Sequence, residues 1–167
     1  AEEGILKGMY KFKPSAKKRA KLRAHLFGSG AIVNQALAAQ ELLEEKFGVA
    51  ADVWSITSFK ELHRDGNAVE RWNRLHPGEQ PRETYIEQCL KKEKGVFVIA
   101  SDYVKALHDS IARWFPRLPV SLGTDGYGRS ESREALRDFF EVDARFIAIG
   151  ALSALARDGQ LEWKVVE

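Results

Sequence analysis

The sequence predicts a three-layer α/β/α domain built on a mainly parallel five-stranded sheet. Three observations predict it. Apolar or β-branched runs near 5–12, 22–27, 52–57, 96–100 and 120–123 have the length of strands. Between them, apolar residues return every three or four positions, as on one face of a helix. The two patterns alternate along the chain, which is the signature of βα units whose strands lie between two helical layers. With 167 residues, 44% hydrophobic and 30% charged, the chain is of one-domain size and can bury a core without staples.

Ile5 to Phe12 alternates loosely and reads as a strand at the domain entrance, at a sheet edge and the candidate for antiparallel pairing. Pro14 to Arg19 is a polar connector, so residues 1–21 form an entrance segment and 22–167 the α/β domain proper. Leu22 to Phe27 is an apolar strand that ends at Gly28-Ser29-Gly30. Ile32, Ala36, Ala39, Leu43 and Phe47 then recur at helical spacing up to Gly48, a natural helix stop. Val53 to Thr57 is a strand by its β-branched and aromatic content. Helical residues around Lys60 to His63 are followed by a turn at Asp65-Gly66 and a short helix over Val69 to Leu75. After a loop at Pro77-Gly78 and Pro81, a helix covers Arg82 to Lys91.

Val96 to Ala100 is a fully apolar strand of the kind buried on both faces. Asp102 to Phe115 is an amphipathic helix with Val104, Leu107, Ile111 and Trp114 on its apolar stripe. Val120 to Leu122 is the last strand. A glycine-rich loop, Thr124 to Ser130, follows, with Ser130 as cap of a helix through Phe140. Asp143 caps a last helix that runs to Arg157 and stops at Asp158-Gly159.

The single cysteine, Cys89, excludes an internal disulfide and fits a reducing cytoplasm. No stretch approaches the ~20 apolar residues of a membrane helix, so no membrane is expected. Residues 1–23 hold eight Lys/Arg against two Glu, and the remainder 18 against 22 acidic residues. A basic arm on an acidic body suggests nucleic acid. Here Lys11, Lys13, Lys17, Lys18, Arg19, Lys21 and Arg23 lack stacking aromatics beyond Phe12, and a solvated linker is the better reading. The opening Ala1-Glu2-Glu3-Gly4, without methionine, and the closing Val165-Val166-Glu167, in a helical stretch without a cap, point to a piece of a longer protein.

Local signals for chemistry are weak. Gly28-Ser29-Gly30 sits where a dinucleotide fingerprint belongs, but Val33 stands where the third glycine is needed, and Asp52 opens its strand instead of ending it. His25, His63, His76 and His108 are scattered in sequence, so no metal site is expected. Cys89, beside Leu90 on a helix, reads as an inert buried thiol. Ser58, Ser101 and Ser121 have no base nearby in sequence, which leaves open a triad assembled in space. No catalytic, cofactor-binding or metal residue is therefore assigned.

The loop Thr124-Asp125-Gly126-Tyr127-Gly128-Arg129-Ser130 carries the most local information. Its glycines allow positive φ, and Asp125 and Arg129 can pair across it. The helix start after it would favour an anion. Weighed against a ligand site, a rigid turn that packs on a partner domain is preferred, and these seven residues are the candidate interface. Trp54, Trp72, Trp114 and Trp163 are many for this length; two or three suffice to fill a core, and the others suit an interface.

Longer strings are more distinctive. Leu6 to Tyr10 and His25 to Gly30 resemble the opening of the last domain of transketolase-like enzymes. Ala51 to Leu62, Glu70 to Pro77 and Leu122 to Ser130 narrow the resemblance to the homodimeric pyruvate dehydrogenase components of many bacteria. It covers nearly the whole chain; the connector at 14–21 is its least family-like part. The resemblance implies an enzyme that decarboxylates pyruvate on thiamine diphosphate with magnesium and acetylates the lipoyl group of dihydrolipoamide acetyltransferase. In that family the cofactors lie between two earlier domains, and the G-D-G diphosphate motif is absent from this sequence. The implied role is architectural: completing a dimer with the enzyme's other domains and second subunit, and walling the approach to the active site. By itself the chain is expected to bind neither cofactor and to be inactive. Two other readings compete: a free-standing flavodoxin-like small-ligand module with a pocket at the sheet's switch point, and a nucleic-acid module using residues 11–23.

Overall fold

The structure is a computed structural model that describes residues 2–167. Among these residues the sheet has five strands: β1 (Met9–Lys13), β2 (Arg23–Ser29), β3 (Ala50–Ile56), β4 (Val96–Ala100) and β5 (Val120–Leu122), in the spatial order β1-β3-β2-β4-β5. β2, β3, β4 and β5 run parallel, and β1 pairs antiparallel with β3 at the edge. The expected fold class, strand set and edge pairing all hold.

Period-two alternation gives the central strands two unlike faces. Ala24, Leu26, Val53, Val96 and Val98 point to one side, where α2 (Val33–Lys46) and α7 (Ala144–Arg157) pack. Leu26 pairs in register with both Val53 and Val98. The opposite face is aromatic. Phe27 stacks on Trp54 at 5.5 Å and meets Phe115 edge-on at 5.2 Å. Helices α3 (Phe59–Leu75), α4 (Tyr85–Leu90) and α5 (Lys105–Ala112) cover it.

Several boundaries differ from the sequence reading, each for a local reason. Residues Glu2–Lys7 form a helix, α1, instead of the start of the first strand; Gly8, at φ 108°, ends it and lets β1 begin at Met9. Asp65-Gly66 is not a turn but the middle of α3. The Asp65 carboxylate accepts the Tyr85 N–H at 2.7 Å, and Gly66 leaves room for the Trp114 ring. Both residues read as turn signals because their tertiary partners are far away in sequence. The helix placed over Arg82 to Lys91 begins at Tyr85, where Thr84 and Glu87 form a reciprocal capping box. Arg82 instead lies 3.7 Å over the Trp72 ring, which stacks on His76.

The stripe of α5 is also displaced. Val104 and Leu107 are exposed, whereas His108, Ile111 and Ala112 face inward. The helix α6 (Arg133–Phe139) is capped by Ser132, whose hydroxyl accepts the Ala135 N–H at 3.2 Å, and not by Ser130. Asp143 caps α7 as expected, accepting from the Arg145 and Phe146 amides.

Candidate functional site

The glycine-rich loop leaves β5 at the carboxyl edge of the parallel strands. Thr124 N–H donates to the Tyr103 carbonyl at 2.9 Å, which ties the loop to the start of α5. Asp125 Oδ1 accepts the Lys105 amide at 3.1 Å and Oδ2 lies 3.3 Å from Lys105 Nζ. The Lys105 N–H, with its ammonium, holds the Asp125 carboxyl below the usual range. The expected Asp125–Arg129 pair is therefore not made: Arg129 lies 4.0 Å over the Phe139 ring instead. Gly126 takes a positive φ of 80°, and Gly128 does not. Between them Tyr127 projects outward, 96% exposed.

The fold brings three of the scattered residues together beneath this loop. His108 is fully buried; its Nε2 lies 2.6 Å from Ser101 Oγ and its Nδ1 2.7 Å from Ser121 Oγ. Ser101 Oγ also accepts the Tyr103 N–H at 3.2 Å. The Nδ1–H tautomer satisfies this chain: Ser101 O–H donates to Nε2, and Nδ1–H donates to Ser121. Burial pushes the His108 pKa down to about 4, so the ring is neutral at pH 7. A Ser-His pair at this distance has the geometry of an activated nucleophile. Ser101 and His108 are both 0% exposed and Ser121, not a carboxylate, orients the ring. The arrangement clamps the β4 and β5 ends to α5, with the ring stacked on Phe59 at 5.3 Å. Ser58, the other serine considered, caps α3.

A second cluster forms at the opposite, amino edge. His25, Asp52 and Glu93 bring donor atoms within 4.8 Å of one another, although no spacing in sequence connects them. Lys11 Nζ lies 2.7 Å from Glu93 and 3.4 Å from Asp52, and Arg23 Nη1 lies 3.2 Å from Asp52. Two cations already neutralise the two carboxylates, so a divalent ion would have to displace them. The His25 Nε2 is engaged with the Lys94 carbonyl at 2.9 Å, and burial lowers its pKa. Burial pushes the Asp52 carboxyl up, but the Ser15 N–H at 2.7 Å and the neighbouring cations outweigh it and leave it lowered. The cluster is an ion-pair hub that docks the connector: Ser15 binds Asp52 and Glu44, and Arg23 reaches the Lys17 and Lys18 carbonyls. Lys11 and Arg23, read earlier as part of a basic arm, are thus held on the body.

The remaining candidates have structural work. A Cβ at Gly28 would sit 2.7 Å from Val33 Cα, so this glycine lets α2 approach β2. Cys89 is half-buried, and burial pushes its thiol up, which disfavours the thiolate. Trp54 and Trp114 fill the aromatic face, while Trp163 is 53% exposed. A cavity of about 410 Å³ lies inside the glycine-rich loop, lined by Ala31 after β2, Asp102 after β4, Thr124 after β5, and by Arg133 and Arg137 of α6. Arg133 and Arg137 are spaced i, i+4 in the sequence and share one face of α6, whereas Arg129 joins them from the loop only in the fold. The buried Ser101–His108–Ser121 chain had no comparable signal.

Comparison with known proteins places this geometry among relatives. The profile of the family described as transketolase-like TK C-terminal domain matches residues 8–143. The pyruvate dehydrogenase E1 component of Pseudomonas aeruginosa is 50% identical over 167 residues, covering 99% of this chain and 19% of that protein. The protein of the same name from Escherichia coli is 45% identical, covering 99% of this chain and 18% of its own length. The chain thus spans about a fifth of the length of the curated relatives it matches. Among solved structures, a transketolase from Leishmania mexicana superposes with a TM-score of 0.61 at 17% identity over 93% of this chain and 19% of that one. A transketolase from Pichia stipitis gives 0.62 at 18% identity over 95% and 19%. At these identities the structures speak for the fold alone.

Proposed function

Because the chain belongs to the transketolase-like C-terminal domain family, we propose that it is the C-terminal, non-catalytic domain of a pyruvate dehydrogenase decarboxylating component. The observation that carries this reading is identity of 45–50% to proteins of that name, sustained over 96–99% of the chain. On this reading residues 1–21 lead in from preceding domains and 22–167 form the terminal domain. The complete enzyme would decarboxylate pyruvate with thiamine diphosphate and magnesium in the cytoplasm and pass the acetyl group to the lipoyl arm of dihydrolipoamide acetyltransferase. Among the described residues no helix is long and apolar enough to cross a membrane.

The residues of this domain do not fit magnesium, and its sequence holds no G-D-G diphosphate motif. Magnesium takes oxygen ligands in octahedral geometry, whereas the His25–Asp52–Glu93 group offers a committed imidazole and two carboxylates already paired with Lys11 and Arg23. No catalytic step is therefore assigned to this chain. Its role is assembly. The tip of the loop, Asp125 to Tyr127, is held from behind by Lys105 and presents an exposed aromatic that loses little entropy on docking. Thr124, Asp125, Gly126, Tyr127, Gly128, Arg129 and Ser130 are the proposed contact with another domain or the second subunit.

The test is the complete reading frame, expressed and assayed for pyruvate-dependent acetylation of the lipoyl domain with thiamine diphosphate and magnesium. Activity in the whole protein, together with no calorimetric binding of the cofactor by residues 1–167, is expected. Micromolar cofactor binding by this chain alone, or a frame without a G-D-G motif upstream, would overturn the reading.

A further inference from the structure

We infer that the cavity inside the glycine-rich loop is a binding site for a small phosphate monoester with an apolar body. The inference does not depend on the catalytic reading of the whole protein. It rests first on position. β2 connects toward β3 on one side of the sheet and β4 leads to β5 on the other, so the strand order reverses between β2 and β4. Ligands of open parallel sheets bind outside the carboxyl ends of the strands at such a point. The cavity sits there: Ala31 follows β2 and Asp102 follows β4. At about 410 Å³ it lies within the range of small-molecule sites.

It rests second on chemistry. Arg129, Arg133 and Arg137 all line the cavity, and among the described residues none has a carboxylate within ion-pair distance. Elsewhere Arg23 pairs with Asp52, Arg64 with Glu61, Arg113 with Glu70, Arg117 with Asp158 and Arg145 with Asp143, while Arg19, Arg71, Arg74, Arg82 and Arg157 have no ion pair among the described residues. What sets Arg129, Arg133 and Arg137 apart is that they line one cavity. Arg133 and Arg137, with Arg129 stacked on Phe139 at the rim, outweigh the one lining carboxylate, Asp102, and leave the cavity positive, which suits a phosphate monoester. Guanidinium forks bind phosphate oxygens in pairs. The floor is apolar, made by Leu136, Phe140 and Val142. It suits a ring or chain attached to the phosphate, while Asp102 and Thr124 can accept its hydroxyls. Thr124, Gly128 and Arg129 line the cavity and also belong to the proposed domain contact, whereas Asp125, Gly126 and Tyr127 at the tip do not line it.

The experiment uses the protein from the complete reading frame, first saturated with thiamine diphosphate and magnesium so that its cofactor site is closed to the probes. Equilibrium dialysis then measures AMP, ribose 5-phosphate and inorganic phosphate. Saturable sub-millimolar binding of AMP at one site per chain is expected, with inorganic phosphate weaker because it lacks a body for the apolar floor. Arg133→Gln/Arg137→Gln should weaken AMP at least about tenfold, while Arg64→Gln/Arg113→Gln, with the same charge change elsewhere, should not. Melting curves verify folding, and Arg133→Gln alone serves if the double variant is unstable. Absence of saturable binding overturns the proposal, as it would if an acidic segment of the rest of the protein filled the cavity. Equal loss in both double variants, or none in either, overturns it as well.

Discussion

Gly66→Ala is a severe test of the packing in the aromatic layer. Gly66 lies mid-helix in α3, where alanine would ordinarily stabilise by about 1 kcal/mol. Here the added Cβ would come well under 3.0 Å from Trp114 Cζ2, Cη2 and Cε2, closer than real side-chain carbons approach. Trp114 has little freedom to yield. It is 5% exposed, its Nε1–H donates to Glu70 at 2.8 Å, and Arg113 lies 4.6 Å over its ring. Carbon contacts are favourable at about 3.5–4.0 Å, so ring or helix must retreat by more than about 1 Å. Overpacking of this kind costs about 1–3 kcal/mol, and so deep an overlap belongs at the upper end. After the helix gain, a net loss of about 2 kcal/mol is expected in urea denaturation of the chain. In a Trp114→Leu background the penalty should vanish, and alanine should become neutral or stabilising. A neutral or stabilising Gly66→Ala in the parent chain would refute the contact and the continuous α3 with it.

Three further outcomes follow from the polar clusters. His108, with a native pKa of about 4, leaves the unfolded chain to take up a proton from about pH 6.5 downward that the native state refuses. Stability should therefore fall by about 3 kcal/mol between pH 6.5 and 4 through this group, and His108→Gln should flatten that limb in urea titrations run across the window. Asp52→Asn strips the counter-charge from Lys11 and Arg23, both partly hydrated, and should cost about 1–3 kcal/mol at pH 7. Because the native Asp52 pKa is lowered, that gap should close as pH falls below about 4, toward and through the native value, which denaturation at pH 7 and pH 3 would show. Tyr127→Ala should leave the melting point of the isolated chain unchanged, within about 0.5 kcal/mol, while weakening assembly of the whole protein in sedimentation. A purely internal role for the loop would give the reverse.

Sequence alone determined the elements whose signal is local. The run Val96 to Ala100 reads as a buried strand because no polar residue interrupts it, and it is the fully buried β4. Asp143 reads as a cap because capping acts within three residues, and it caps α7. The strings that resemble pyruvate dehydrogenase components also belong to the chain itself, and the family they implied is the one the comparisons found. The tertiary structure decided whatever depends on partners far along the chain. Asp65-Gly66 resembles a turn until Tyr85 and Trp114 are placed against it. His25 resembles a stray histidine until Asp52 and Glu93 reach it across two neighbouring strands and a loop. Ser101, His108 and Ser121 become a hydrogen-bonded chain only when β4, α5 and β5 converge. Periodicity shows which residues can face inward, but burial and charge pairing are properties of the assembled surface. For that reason the cavity between the loop and α6, unlike the strands around it, could be read only from the fold.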